Sequence, residues 1–557
     1  MPPEPLSEPL AAPRPGQTLR ELFGIERRSL ACFRIGLGSM LLWDLWGRAK
    51  TLREHYTGEG VFPRELAQRM RPDSALFRVF LWSDRFEVQA ALFGLFALVA
   101  LLFLVGWRTR VMSVLAFVLL ASLVRRNPYV CHTGDVLLKA LMFWALFLPL
   151  GAHFSLDRLR GSVRAPEGAR ALSLATAGVL LQVAIFYVMA GMLKARYEVW
   201  RNGGAVWIFT HVSEYTRPFG AWLGQFPAAC RCLTFATLLM EGLAPFLLFS
   251  PLGTARIRTL LFFVFAAFHL TLQATIHIGI FQFLCIVMLT LFLPGTFWDG
   301  LGRRVPAALR ARWHALRTAW SARYARAPSP GPPVPGALAR WLSRASAAFL
   351  VLAMAVIVVS NANSTVEDPY DREDQGWLTL PRAVDDYGRQ MSLVQSWNMF
   401  TDIDRLFFGW FLVLGQQEDL QVVNVLEGRP FRRLQLPEHY ARSFPNHDSR
   451  RYWRELTLTD DGKPREALQK ATCDYLAREW QRAGRPALTH LAIFHVGRVP
   501  SEARKRDQVK LVCRWEAPHE ALKVAPAEEQ QRWNAWRESW KTFLESLPET
   551  APAMNRE

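Results

Sequence analysis

The feature that most constrains this chain is a succession of apolar runs, each close to 20 residues long, separated by short segments that carry arginine. A helix needs about 20 consecutive apolar residues to cross the hydrocarbon core of a bilayer. Nine runs approach that length: 29–47, 87–106, 110–125, 134–152, 171–194, 232–250, 258–276, 278–294 and 343–360. The chain therefore reads as a polytopic α-helical membrane protein of nine transmembrane helices spread over residues 19–360. The pair spanning 87–125 is broken by Gly106-Trp107-Arg108-Thr109-Arg110 and reads as a helical hairpin. Residues 1–18 are polar and rich in proline, and they read as a loose N-terminal tail. They lack the basic segment and short apolar core of a cleavable signal peptide, so the first apolar run serves as an uncleaved anchor.

The charge balance fits this layout. The net charge is +18, yet 51% of the residues are apolar. A nucleic-acid binder would gather its basic residues on one face. Here they punctuate apolar runs, so no nucleic-acid partner is expected. With the N-terminus cytoplasmic, the inner segments hold Arg108, Arg110, Arg158, Arg160, Arg164, Arg170, Arg256, Arg258 and the arginine-rich stretch 303–340. That is the bias expected of cytoplasmic loops. Nine spans then put the C-terminus outside, in a multi-pass protein of the cell (inner) membrane. Residues 361–557 read as an extracytoplasmic, periplasmic α+β domain. Strand-like runs lie at 406–414, 420–426, 491–496 and 509–515, mixed with amphipathic helices near 464–483 and 526–546. Its two cysteines, Cys473 and Cys513, either pair in an oxidising compartment or are buried separately. Cys230 and Cys232 are too close together for a CxxC metal pair, and no metal site is expected.

Lysine usage points inward. Of 66 basic residues only nine are lysine, and before residue 460 these are Lys50, Lys139 and Lys194. A lysine kept inside an apolar run has a property that arginine lacks, since it can give up its proton near neutral pH. Ionisable residues within spans are costly and tend to line a site or cavity. Asp44, Asp135, Lys139, Lys194, Glu241 and His269 are of this kind, with His132 and His277 at span edges. Most fall in the outer half of the membrane although they come from separate helices. Asp135 and Lys139 are four apart and share a helix face, as an ion pair or as part of a site. His269, Gln273 and His277 repeat the same spacing, without a nearby carboxylate to complete a metal site. Gln182, Tyr187 and Lys194 lie on one span, where Lys194 alone reads equally as a snorkelling lysine at a helix end.

At Lys194 the sequence resembles a family. The run Gln182-x4-Tyr187-x2-Ala190-Gly191-x2-Lys194 is similar to the vitamin K-dependent γ-glutamyl carboxylases. So are Phe268-His269-x8-Ile278-Gly279-x-Phe281 and Arg126-x5-His132. The wider grouping is the HTTM family of membrane proteins. Its flavour is also carried by Tyr56-Thr57-Gly58-Glu59-Gly60-Val61-Phe62-Pro63 and Ser396-Trp397-Asn398-Met399-Phe400. The resemblance covers residues 20–300, with 390–430 matching the HTTM group. It departs from the animal enzyme in having Leu193 before Lys194, and Cys131 before His132.

This resemblance implies a reaction. A reduced naphthoquinone (vitamin K hydroquinone, or menaquinol in a bacterial relative) is deprotonated and reacts with O₂, leaving as its epoxide. The strong base so formed removes a γ-proton from a peptide glutamate, and the carbanion takes up CO₂. The resemblance makes Lys194 the catalytic base, with His132 and His269 catalytic beside it. The pocket would then include Gln182, Tyr187, Asp135, Lys139, Gln273, His277 and Glu241. A lysine at an apolar helix end is desolvated, which favours the neutral form that a base requires. The partners implied are membrane lipid, a lipid-soluble quinone and a glutamate-containing peptide. Two other readings stay open. One is a quinol-dependent membrane oxidoreductase that forms the epoxide without carboxylating anything. The other is a non-catalytic scaffold or transporter-like bundle that uses 361–557 to bind a partner.

Overall fold

A computed structural model of the 557-residue chain describes residues 15–70, 77–161, 168–212, 215–324, 336–365, 378–401, 408–432, 440, 444–457, 459–460, 463–498, 508–517 and 527–547. The tail expected over 1–18 lies outside the described residues up to 14, and from Pro15 the chain is already helical (Pro15–Phe23). Residues 406–407 of the first strand-like run are also outside them.

The apolar runs fold as α1 (Arg27–Ala49), α2 (Phe86–Val105), α3 (Thr109–Arg126), α4 (Thr133–Ala145), α5 (Leu174–Ala195), α6 (Pro227–Leu247), α7 (Thr254–Thr275), α8 (Phe281–Leu289), α9 (Gly295–Arg304) and α10 (Ala337–Asn363). Five of these, α2, α5, α6, α7 and α10, are long and apolar enough to cross a membrane. Phe281–Phe292 with α9 makes a sixth if that pair, bent by 102°, is one span. The other runs differ from the expected spans for physical reasons. Helix α1 has full length, but Arg34, Asp44 and Arg48 are buried along it. Helix α3 has 18 residues and ends in Arg125 and Arg126. Helix α4 stops after 13 residues, or about 20 Å. Its run continues as irregular chain to Phe154. There the Arg34 guanidinium donates to the carbonyls of Leu150 at 2.8 Å and Phe154 at 2.6 Å. These bonds fill backbone acceptors that an irregular segment leaves without helical partners.

Local chemistry sets the helix ends. Gly106, at φ 73°, terminates α2 in the left-handed conformation and turns the chain into α3, giving the hairpin. Ser173 and Thr176 cap α5 reciprocally, and His132 and Asp135 do the same for α4.

The C-terminal region contributes α11 (His447–Glu455), α12 (Glu466–Arg482) and α13 (Ala527–Ser546). Apart from a two-stranded pair, Thr459–Asp460 with Lys463–Pro464, its described strands are β1 (Phe408–Gln417), β2 (Val422–Asn424), β3 (Arg429–Pro430), β4 (Leu488–Arg498) and β5 (Gln508–Glu516). They form one antiparallel sheet in the order β3-β2-β1-β4-β5. Successive side chains of a strand point to opposite faces. Trp410, Leu412 and Leu414 accordingly share a cluster with Trp540 of α13, whereas Phe411 and Val413 belong to the opposite one, where the Phe411 ring meets that of Trp453 of α11 at 5.2 Å and α12 lies against β4 and β5. The α12 face is continuous with the bundle core. Helix α11 caps one end of the bundle, where Asn446 donates to the carbonyl of Gly47 at 2.8 Å and Tyr452 reaches that of Val61 at 3.3 Å.

Candidate functional site

Small residues let α5 approach its neighbours. Gly178 lies against the Trp144 ring of α4. Gly191 lies against α6, where an added Cβ would sit 3.0 Å from the Gly242 nitrogen. This close crossing sets Lys194 opposite Glu241. Lys194 Nζ donates to Glu241 Oε2 at 2.7 Å and to the carbonyl of Ala190 at 3.4 Å. Both side chains are buried. About two turns earlier on α5, Tyr187 Oη is 2.8 Å from His269 Nε2 of α7. His269 Nδ1 is buried and has no hydrogen-bond partner among the described residues.

These four side chains line one cavity of about 870 Å³, counted to its open mouth. The remaining wall is mainly apolar and includes Phe186, Phe209, Leu223, Phe268, Ile276 and Phe281. Thr237 and Thr275, also in the wall, spend their hydroxyls on carbonyls of their own helices at 2.8 Å. The cavity thus offers a ligand the Lys194–Glu241 pair and the Tyr187–His269 pair, with Thr271 also in its wall.

Part of the wall comes from segments without a strong local pattern. Three short helices, Glu198–Arg201, Ala205–Phe209 and Pro218–Leu223, supply Trp200, Val206, Phe209 and Leu223. Met399 and Phe400 arrive from beyond α10. Trp200 Nε1 donates to the Phe400 carbonyl at 2.8 Å, and the Trp200 ring is 5.6 Å from Lys194 Nζ. The Ser396–Phe400 motif was the sequence signal for this wall.

Of the residues singled out from sequence, Lys194, His269, Tyr187 and Glu241 converge on the cavity, while Gln182, Gln273, His132, Asp135, Lys139 and His277 are not among its lining residues. Gln182 donates instead to Gln395 Oε1 at 2.7 Å. Lys139 donates to the carbonyl of Arg389 at 3.2 Å rather than pairing with Asp135. The partner of Asp135 is Arg48, whose guanidinium also binds Asp44 at 2.8 Å and Tyr56 at 2.7 Å. The i, i+4 spacing put Asp135 and Lys139 on one face, but a buried arginine on α1 is the stronger, bidentate-capable partner.

His132 and His277 join a second cluster, completed by α11. His132 Nδ1 accepts from the Gly134 N–H at 2.9 Å, and Nε2 faces Asp448 at 3.5 Å and Asp135 at 3.6 Å. Burial opposes charge on His132, but Asp135 and Asp448 outweigh it and hold its pKa above the ordinary value. Burial also opposes charge on Asp448, yet Arg48 and His132 keep its pKa below the usual carboxylate range. Arg450 donates to the His277 carbonyl at 2.6 Å and to His447 Nδ1 at 2.5 Å. Burial and then Arg450 push His277 down to about 4. Burial, His132 and Arg450 push His447 well down. The loop between α7 and α8 separates the two sites. Its Ile276 lines the cavity, and its His277 belongs to the cluster. Asp448, His447 and Arg450 carried no sequence signal, because contacts across 173 residues or more leave no local periodicity.

Residues 24–297 match the family model of the HTTM domain. No curated protein and no solved structure gives a significant match to the chain.

Proposed function

Because residues 24–297 of this chain are an HTTM domain, we propose that it is a membrane enzyme of the vitamin K-dependent carboxylase type. The observation that carries the reading is a mainly apolar cavity lined by a buried Lys194–Glu241 pair and by a His269 whose buried Nδ1 has no hydrogen-bond partner among the described residues. These residues suit a naphthohydroquinone. The apolar wall takes the ring system, and its hydroxyl reaches the Lys194 side chain. When bound, the hydroquinone supplies the reducing electrons that react with O₂.

The chain's own residues move and hold the proton. Whether the resting pair is written as ammonium and carboxylate or as amine and carboxylic acid, it takes up one proton from the hydroxyl. In both cases an ammonium at Lys194 is left facing the new oxyanion, and Glu241 is the carboxylic acid beside it. Arginine at this position would supply charge but could not share the proton. Tyr187 holds His269 by Nε2, which leaves Nδ1 to orient a second polar group of the ligand. The apolar wall excludes water, and this strengthens each of these interactions. On this reading the chain is a multi-pass cell-membrane protein with a cytoplasmic N-terminus. The bundle end bearing Lys194 and the region 361–557 faces the extracytoplasmic side, with CO₂ and a glutamate-containing peptide as further substrates.

One observation favours the second reading, a quinol epoxidase without carboxylation. His132, the residue the resemblance assigns to the carboxylating half, caps α4 and faces Asp448 outside the cavity wall. A single assay separates the two. Purified protein in lipid is given reduced naphthoquinones, ¹⁴CO₂ and a glutamate peptide, and both epoxide and fixed carbon are read. Both signals support the carboxylase, and epoxide alone supports the oxidoreductase. Absence of epoxide, or a Lys194→Arg protein as active as the parent, overturns the role of the cavity.

A further inference from the structure

We propose that Cys473 and Cys513 are joined as a disulfide in the mature protein, tying α12 to β5. These are the two cysteines of residues 361–557, forty positions apart and on different elements. The fold nevertheless brings them together. Cys473 is fully buried, on the face of α12 that also buries Leu468, Gln469 and Thr472. Cys513 Sγ lies 3.8 Å from the carbonyl of Gln469, one turn before Cys473 on that face. Both are free thiols in the structure, and Cys513 is the leading electrostatic influence on Cys473. The strand is shaped for this contact. Ile493 pairs with Cys513 but Phe494 pairs with Leu511, so Val512 is an extra residue in β5. A bulge of this kind re-aims the neighbouring side chain. Among the described residues no other cysteine has a cysteine partner; Cys131 and Cys230, for example, donate to backbone carbonyls.

The two thiols are unequal, which gives the chemistry an order. Cys513 is only half-buried, so an oxidant reaches it first. The neighbouring Cys513 thiol, together with burial, holds the Cys473 thiol well above the usual thiol range, which leaves it the second to react. The oxidant class is the disulfide of a thiol oxidoreductase. Cys513, as thiolate, attacks one sulfur of that disulfide and releases the other as a thiol, leaving a mixed disulfide. Cys473 then gives up its proton and attacks the Cys513 sulfur, releasing the second oxidoreductase thiol. Two protein thiols are oxidised by two electrons, and one donor disulfide becomes two thiols. The closed loop restrains the unfolded chain of this region. The inference is independent of the quinol chemistry and shares only the orientation of that reading, since the bond needs an oxidising compartment.

The test uses the full chain from its membrane, denatured in N-ethylmaleimide before any reductant is added, then digested and mapped by mass spectrometry. The expected result is a Cys473–Cys513 linked peptide pair that separates on reduction, with neither cysteine carrying maleimide. Maleimide on both cysteines without reduction overturns the proposal. Mapping the unaltered chain needs no variant that folds. A Cys473→Ser chain adds a second arm, in which Cys513 is expected to become fully maleimide-reactive; unchanged labelling of Cys513 between the two chains counts against the bond. A C-terminal alkaline phosphatase fusion reads the orientation separately. An active phosphatase with both thiols free therefore sinks the disulfide while leaving the orientation standing.

Discussion

At the scale of single residues, the question is whether Lys194 and Glu241 are held together for stability or for chemistry. Both are buried and 2.7 Å apart. Removing one partner of a buried ion pair strands the other charge and costs about 3–5 kcal/mol, whereas replacing both by apolar residues is often neutral. Glu241→Leu is therefore expected to lower thermal stability in lipid nanodiscs markedly. The double change Lys194→Leu with Glu241→Leu should recover most of that loss. Quinol turnover should vanish in both proteins. Full turnover in the stable double variant would show that the pair is merely structural. The same residues show what sequence makes legible. Lysine scarcity, with a match at Lys194, led to the proposed base. Glu241 stood out as a carboxylate inside an apolar run, and nothing in the sequence said that Gly191 would draw α5 and α6 together to join the two.

At the scale of elements, that crossing is itself testable. An added Cβ at Gly191 would lie 3.0 Å from the Gly242 nitrogen, a backbone atom that moves only with its helix. Gly191→Ala should thus push α5 from α6, costing about 1–3 kcal/mol and widening the Lys194–Glu241 gap. Gly242→Ala meets nothing within 4 Å and should leave thermal stability unchanged or slightly raised; equal losses at both glycines would refute the close-crossing account. Helix α11 answers to pH. The raised His132 value contributes docking stability below the ordinary histidine value near ~6.5 and loses it as pH rises through the raised one. His277 and His447 have depressed values. Their contribution is present above ~6.5 and fades as pH falls towards theirs. Asp448 adds a further loss in more acidic solution, where its carboxylate is protonated. Hydrogen exchange across His447–Glu455 is therefore expected to be slowest in the window just above the ordinary histidine value. In Asp448→Asn the alkaline limb should begin at lower pH, and a pH-flat profile would contradict the assignment. Periodicity located the helices because each has its own apolar run. It could not locate the partners of Asp135 or Gln182. Arg48 and Gln395 lie 87 and 213 residues away, and pairing at that range is decided by packing.

At the scale of the whole molecule, the bundle is not finished by its own helices. Sequence composition changes near residue 361, which reads as the start of an independent domain, yet the chain beyond α10 returns to the bundle. The Leu393 carbonyl accepts from Ser360 at 3.3 Å, Gln395 meets Gln182, and the Phe400 carbonyl accepts from Trp200. Met399 and Phe400 then form cavity wall. Further on, α11 brings Asp448 against Arg48 and His132. These two contributions predict different defects. A chain ending after Asn363 lacks the Met399–Phe400 wall, so a quinone analogue that quenches Trp200 fluorescence should not bind even where the bundle inserts into the membrane. A chain ending after Thr401 keeps that wall but strands Arg48 beside Asp44 and Asp135 without the third carboxylate. It should keep its affinity for the analogue but unfold at lower temperature. Equal binding by the full chain and the shorter truncation would mean that the cavity is complete within the bundle. The intermediate chain ranks the two contacts, because retained affinity with lowered stability assigns the wall to Met399 and Phe400 and the clamp to α11.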